Sequence, residues 1–232
     1  VFVFHGGAGD KNKAKSYISS SDAEKLNFIV VYPEGVDEFK AIKGIQGTWN
    51  AGTCCGTSSA NNVNDIEYSE KILSEISKKL SIDMNRVYAT GISNGGMFVY
   101  KLACDSSKFK AVASVAGTIA EESCNPSSGI SVLHLHAKDD QNVLFTGGCG
   151  PNCISNHDHK SVQYTLDFWQ NKLSCEGQGE IVYSKGNAEC TTYSCSSNSK
   201  LEFCIADTGG HSWLTTPSIS ATEQILKFFN LG

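Results

Sequence analysis

A serine set between glycines is the first feature that could do chemistry. Gly91-Ile92-Ser93-Asn94-Gly95 fits Gly-x-Ser-x-Gly, and Gly96 follows. A strand pattern, RVYAT (residues 86–90), precedes it, and a helix pattern, MFVYKLAC (residues 97–104), follows. This is the strand-turn-helix setting of a nucleophile elbow, in which a sharp turn leaves room only for glycine beside the serine. The serine hydroxyl then stands clear at the tip, next to the positive end of a helix. A Gly-rich turn that binds phosphate is the plainer reading of the same residues.

A serine nucleophile needs a base, and the base needs an acid to orient it. In strand-turn-helix hydrolases the chain order is Ser, then Asp or Glu, then His. Downstream of Ser93, the apolar run 131–136 ends in Ala137-Lys138-Asp139-Asp140, so Asp139 and Asp140 both qualify as the acid. Gly209-Gly210-His211-Ser212-Trp213 lies between the last strand pattern and the last helix pattern, which makes His211 the base. Acyl transfer also needs N–H donors for a tetrahedral oxyanion. His5-Gly6-Gly7-Ala8-Gly9 supplies one, Gly7 first and Ala8 second, and the N–H of Asn94 supplies the other. His5 is expected to brace its own loop, and His134 and His136 to pack along their strand.

The positions of these residues follow from the elements around them. Strands are expected at 1–4, 28–32, 86–89, 111–115, 132–136, 181–183 and 201–205, and helices at 64–80, 97–104, 162–173 and 218–229. Continuous apolar strands alternating with amphipathic helices imply an α/β fold, a mainly parallel sheet covered on both faces. With no repeat or compositional break, residues 1–232 read as one catalytic domain. Gly147–Asn156 and Gly186–Ser199, rich in Gly, Asn, Ser and Cys, read as disulfide-pinned loops.

Composition narrows the function classes. Of 232 residues, 40% are hydrophobic and 19% charged, with a net charge of −5. That excludes a disordered chain. No Lys/Arg block argues for nucleic acid, and no apolar run reaches the roughly 20 residues of a membrane span. Ten cysteines point to disulfides and an oxidising, secreted setting, reached through a leader that has been removed. Cys149, Cys153, His157 and His159 are loosely spaced like a zinc site, but the second short-spaced cysteine pair is missing, so no metal is expected. No cofactor is needed either.

The residues also resemble a known family. HGGAGD (5–10), TWNAGTCCG (48–56), RVYATGISNGGMFVYKLACD (86–105) and GGHSW (209–213) are similar to the secreted polyhydroxybutyrate depolymerase-like and feruloyl esterases of the α/β-hydrolase fold. The resemblance runs along the whole chain and is weakest over 141–200. It implies a serine carboxylic ester hydrolase. The family's His-Gly-x-x-Asp pattern, laid on residues 136–140, puts the acid at Asp140, with Ala137 in place of the glycine. The resemblance also implies a Cys104–Cys124 disulfide. Cys175–Cys195 and Cys190–Cys204 are further expected pairs, which leaves Cys54 and Cys55 to meet Cys149 and Cys153 and staple two loops at the site mouth. Family members begin with antiparallel edge strands before the His-Gly strand; here Val1 already belongs to that strand, so those strands are expected to be lacking.

Trp49 and Trp213 are expected to flank the site and offer flat surfaces to a phenolic acid or sugar ring. The implied substrate is a polysaccharide-linked or polymeric ester: a feruloyl ester of plant cell wall first, then polyhydroxybutyrate, then acetylated xylan. The protein is expected to act as a monomer. A serine peptidase on the same fold, and a non-catalytic binding protein on a hydrolase scaffold, are the competing readings.

Overall fold

The computed structural model describes residues 1–35, 47–155 and 157–232. In chain order its elements are β1 (Phe2–Phe4), α1 (Lys11–Ala14), α2 (Ser20–Lys25), α3 (Gly56–Ala60), α4 (Asp65–Ser77), β2 (Tyr88–Ile92), α5 (Asn94–Asp105), β3 (Ala111–Val115), β4 (Ser131–Ala137), α6 (Val162–Leu173), β5 (Glu180–Lys185), β6 (Ala188–Ser194), β7 (Lys200–Ala206) and α7 (Ala221–Phe228). One seven-stranded sheet collects the strands in the order β1-β2-β3-β4-β7-β6-β5. From β1 to β7 the neighbours are parallel, and β7-β6-β5 is an antiparallel meander.

Strand side chains alternate between two cores, as the period of two requires. Phe2, Phe4, Ala89, Val112 and Val132 face one core, closed by Leu73 of α4, Met97 and Phe98 of α5 and Trp169 of α6. Val3, Tyr88, Ala113, Leu133 and Leu135 face the other, closed by Ala14 of α1 and Ile225 of α7. Both faces of the parallel portion are thus covered, which is why its strands read as unbroken apolar runs. Three helices start where side chains cap them: Asn64 accepts from Glu67 N–H for α4, Ser161 from Tyr164 N–H for α6 and Ser220 from Glu223 N–H for α7, whereas α5 starts at Ser93 without a side-chain cap.

Two segments differ from the sequence reading. Residues 28–32, expected as a buried strand, touch the sheet through a single parallel bridge, Val31 to Phe2, and Ile29 is exposed. The segment has β1 on one side, so only part of its apolar surface finds a partner. Within residues 186–199, expected as a loop, lies β6. Its Cys190 stands directly opposite Cys204 of β7, and the two are disulfide-bonded. The polar, Cys-rich composition hid a half-exposed antiparallel strand whose pairing comes from β7 rather than from an apolar face.

The ten cysteines form five disulfides. Cys104–Cys124, Cys175–Cys195 and Cys190–Cys204 pair as expected. The other four do not cross between loops: Cys54 bonds its neighbour Cys55, and Cys149 bonds Cys153. The two loops meet instead through a hydrogen bond between Thr53 Oγ1 and His157 Nε2 of 3.3 Å. Asn156 lies outside the described residues. No helix among the described residues is long and apolar enough to cross a membrane.

Candidate active site

Ser93 sits between the last residue of β2, Ile92, and the first residue of α5, Asn94, at φ 55° and ψ −124°. A non-glycine residue in that region is strained, and such strain concentrates at functional turns. The flanking glycines are required by space. A Cβ on Gly91 would lie 2.6 Å from the Gly95 carbonyl, and one on Gly95 would collide with the carbonyl oxygens of Phe4 and His5. The elbow therefore packs directly on the end of β1, and a Cβ on Gly6 would come within 3.4 Å of the Ser93 Cβ.

His211 is carried on the loop between β7 and α7. Gly209 and Gly210 precede it at φ 151° and 60°. Its Nδ1 donates to Asp140 Oδ2 at 2.8 Å. Asp140 is fully enclosed, and its other oxygen accepts the N–H groups of Asn142 (2.8 Å) and Val143 (3.0 Å). His136 Nε2 donates to the Val143 carbonyl at 2.9 Å and lies 3.4 Å from Asp140 Oδ2. Burial alone would raise the Asp140 carboxyl. Hydrogen bonds from His136 and His211 outweigh it and hold the group well below the usual carboxylate range. Asp139, the other candidate acid, is exposed and accepts from Gly210 N–H at 2.7 Å.

Gly7 and Ala8, the first-choice and fallback oxyanion donors, sit beside the elbow, and a Cβ on Gly7 would be 3.6 Å from that of Asn94. The Asn94 N–H belongs to the first turn of α5, where backbone donors have no partner within the helix. His5 braces this loop as expected. Its Nε2 accepts from Gly35 N–H at 3.0 Å, so Nδ1 carries the proton given to the Gly6 carbonyl at 2.8 Å. Burial pushes its pKa down, consistent with that neutral tautomer. His134 is packed inside, with Nδ1 2.6 Å from the Tyr100 hydroxyl, and burial holds its pKa well below normal.

Gly7, Ser93, Asn94, His211 and Trp213 line one cavity of about 1160 Å³. Trp213 contributes to the wall, stacked on Tyr17 at 4.6 Å and tied through Nε1 to Thr222 Oγ1 at 2.9 Å. Trp49 does not. Its indole is 0% exposed, sandwiched among Phe4, His5 and Phe98, so it offers no surface to a substrate. Sequence position beside a motif does not distinguish a wall from a support behind it.

The cavity also holds a pair that the sequence reading left in a loop. His159 Nε2 lies 3.1 Å from Ser155 Oγ, and burial pushes the imidazole down to about 4. Only the Cys149–Cys153 clamp beside it hints that this segment is fixed. That disulfide occupies both thiols of the zinc-like spacing. Cys190, Glu202 and Cys204 also approach one another, but there too the sulfurs are bonded together. Neither group retains thiolate donors.

Known proteins share these features. The model of the prolyl oligopeptidase family matches residues 57–123, the stretch that contains the elbow. Feruloyl esterase B of Piromyces equi is 26% identical over 180 residues, covering 72% of this chain and 32% of that protein. A probable feruloyl esterase C of Aspergillus clavatus is 32% identical over 91 residues, 39% of this chain and 34% of that protein. The chain thus spans about a third of the length of these curated relatives. Among solved structures, the acetyl xylan esterase from Aspergillus awamori superposes with a TM-score of 0.69 at 14% identity, covering 100% of this chain and 88% of that one. The chain thus has the fold of this esterase structure and is similar in sequence to part of the feruloyl esterases.

Proposed function

We propose that this chain is a serine carboxylic ester hydrolase whose triad is Ser93, His211 and Asp140. The observation that carries the reading is the strained Ser93 facing the same cavity as an imidazole already hydrogen-bonded to a buried carboxylate. Ser93 Oγ attacks the ester carbonyl carbon while His211 Nε2 takes the hydroxyl proton. The carbonyl electron pair moves onto oxygen, and the N–H groups of Gly7 and Asn94 stabilise the resulting oxyanion. Collapse of the intermediate expels the alcohol, which takes the proton from His211. Water, deprotonated by His211, then attacks the acyl carbonyl carbon, and collapse of this second tetrahedral intermediate breaks the bond to Ser93 Oγ, which takes the proton back from His211 as the acid leaves. Asp140 keeps the imidazole in the Nδ1–H form and offsets its positive charge.

A bulky acyl or alcohol group suits the cavity, whose volume is that of a site for a whole small molecule rather than an acetyl group alone. Together with the resemblance to feruloyl esterases, this favours phenolic esters of plant cell-wall polysaccharide. Five disulfides fit an enzyme exported to an oxidising medium. The test is a panel of methyl ferulate, acetylated xylan, a polyhydroxybutyrate film and a prolyl peptide anilide, with wild-type protein and Ser93→Ala. Ferulate release by wild type and none by the variant is expected. Turnover that survives Ser93→Ala sinks the mechanism, and preference for another member of the panel sinks the substrate assignment.

A further inference from the structure

Trp49, withdrawn from the cavity wall, has a different relation to the site. Its backbone N–H donates to Asn94 Oδ1 at 2.7 Å, and its carbonyl accepts from Asn94 Nδ2 at 2.9 Å. The Asn94 side chain is thus held as a two-point amide pair, all of it buried. The Trp49 indole Nε1–H reaches the other way and donates to the His5 carbonyl at 3.0 Å, with the ring 4.9 Å from the His5 imidazole. One residue therefore grips both sides of the site: the residue after the nucleophile, and the residue that opens the Gly6-Gly7 loop.

Trp49 is itself anchored to segments other than the two it grips. Its carbonyl also accepts from Cys55 N–H at 3.4 Å. The next residue, Asn50, donates its N–H to Asp65 Oδ2 at 2.7 Å and its amide to the Val63 carbonyl at 3.0 Å. Thr48 accepts at its carbonyl from Ser58 Oγ at 2.7 Å. These bonds tie the residue to α3 and α4, so the grip is a fixed reference rather than a passenger of either loop.

The geometry points to Trp49 as the positioning residue that sets the two oxyanion donors, Gly7 and Asn94, relative to each other. This rests on the reading of those N–H groups as the oxyanion site. The donors come from segments 87 residues apart in sequence, and one of them, Gly7, is a glycine that follows another, the residue type whose backbone has the widest conformational freedom. Donors of this kind act only when aimed at the oxygen of the transition state, within a few tenths of an ångström. Ground-state binding is far less sensitive. A residue that fixes their separation should therefore govern kcat and leave KM nearly alone.

Two variants separate this from a plain core role. Trp49→Phe keeps an aromatic ring against Phe4 and Phe98 and removes only the bond to His5. Asn94→Ala removes the amide pair and keeps the backbone N–H. Turnover of 4-nitrophenyl acetate is measured for each, together with inhibition by an aryl trifluoromethyl ketone. That ketone adds to Ser93 Oγ and leaves a tetrahedral oxyanion in the donor site. Each variant is expected to lose about 10-fold or more in kcat with KM within about twofold, a displaced donor being a milder loss than a deleted one. Ketone affinity should fall by the same factor. The double variant should lose less than the product of the two, because both break one network. A kcat within twofold of wild type in a folded variant overturns the proposal, as does a kcat loss with ketone affinity unchanged. If Trp49→Phe does not fold, Asn94→Ala decides on the same criteria. Ser93→Ala is run alongside: a dead Ser93→Ala with a normal Trp49→Phe rejects the positioning role alone, whereas an active Ser93→Ala rejects the site itself.

Discussion

Asp139 and Asp140 are chain neighbours that hold two successive residues of one loop. The buried Asp140 accepts from the imidazole Nδ1 of His211, and the exposed Asp139 accepts from the backbone N–H of Gly210. The end of β4 thus grips the His211 loop twice, once through the group that would do chemistry and once through the backbone beside it.

The two carboxylates should separate cleanly on substitution. Asp140→Asn is expected to lower kcat by about 10³–10⁴, the scale seen when a triad acid is neutralised and the imidazole tautomer is no longer enforced. Asp139→Asn keeps an acceptor for Gly210 and should change kcat by no more than about threefold, since replacing an exposed hydrogen-bond acceptor with another costs little. Steady-state hydrolysis of 4-nitrophenyl acetate checks both. Equal losses in the two variants would show that Asp140 has no special role.

The elbow was legible in the sequence because its chemistry and its geometry demand the same residues: a Ser93 without Gly91 and Gly95 could not make the turn. The parallel strands were legible because burial on both faces leaves only apolar residues. Asp139 and Asp140 were not separable from the residues alone, since adjacent positions past a strand point in opposite directions and only three-dimensional register tells which. The resemblance, not the spacing, singled out Asp140. Trp49 was misjudged because a tryptophan near a motif reads the same whether it faces the cavity or backs the loop. The Cys54–Cys55 and Cys149–Cys153 pairs failed for a related reason: cysteine spacing carries no distances, and a local pair competes with any long-range one. The strand β6 was missed because its partner, not its composition, makes it a strand.

Disulfides of different span should contribute unequally. Cys104–Cys124 joins the end of α5 to the segment before β4, 20 residues on. A loop of that length restricts the unfolded chain by about 3 kcal/mol in the chain-entropy account. Cys149–Cys153 closes only four residues and restricts it by about 2 kcal/mol in the same account. The double replacement Cys104→Ala with Cys124→Ala should therefore lower the unfolding midpoint in guanidinium more than Cys149→Ala with Cys153→Ala, by the equivalent of about 1 kcal/mol. A reversed order would mean that local packing, not loop closure, sets these contributions. The short bridge borders the cavity through Cys153, so its loss should be felt first in KM.

Asp65 gives a pH dependence with a definite sign. It begins α4, is buried, and accepts from Asn50 N–H through Oδ2. Burial pushes its carboxyl up from the ordinary 3.8 to about 6, the Asn50 hydrogen bond opposing only in part. The folded state therefore holds this proton more tightly than the unfolded chain. The stability it contributes is fully present below about pH 4 and is lost as the pH rises through about 6. At pH 8 the ionised group is a net cost. Asp65→Asn keeps an acceptor for Asn50 without the charge, and should raise the melting temperature at pH 8 while making little difference at pH 4. Parallel thermal unfolding of the two proteins across that range is the check. A variant that is less stable at pH 8 than wild type would show that the positive end of α4 more than offsets the burial of the carboxylate.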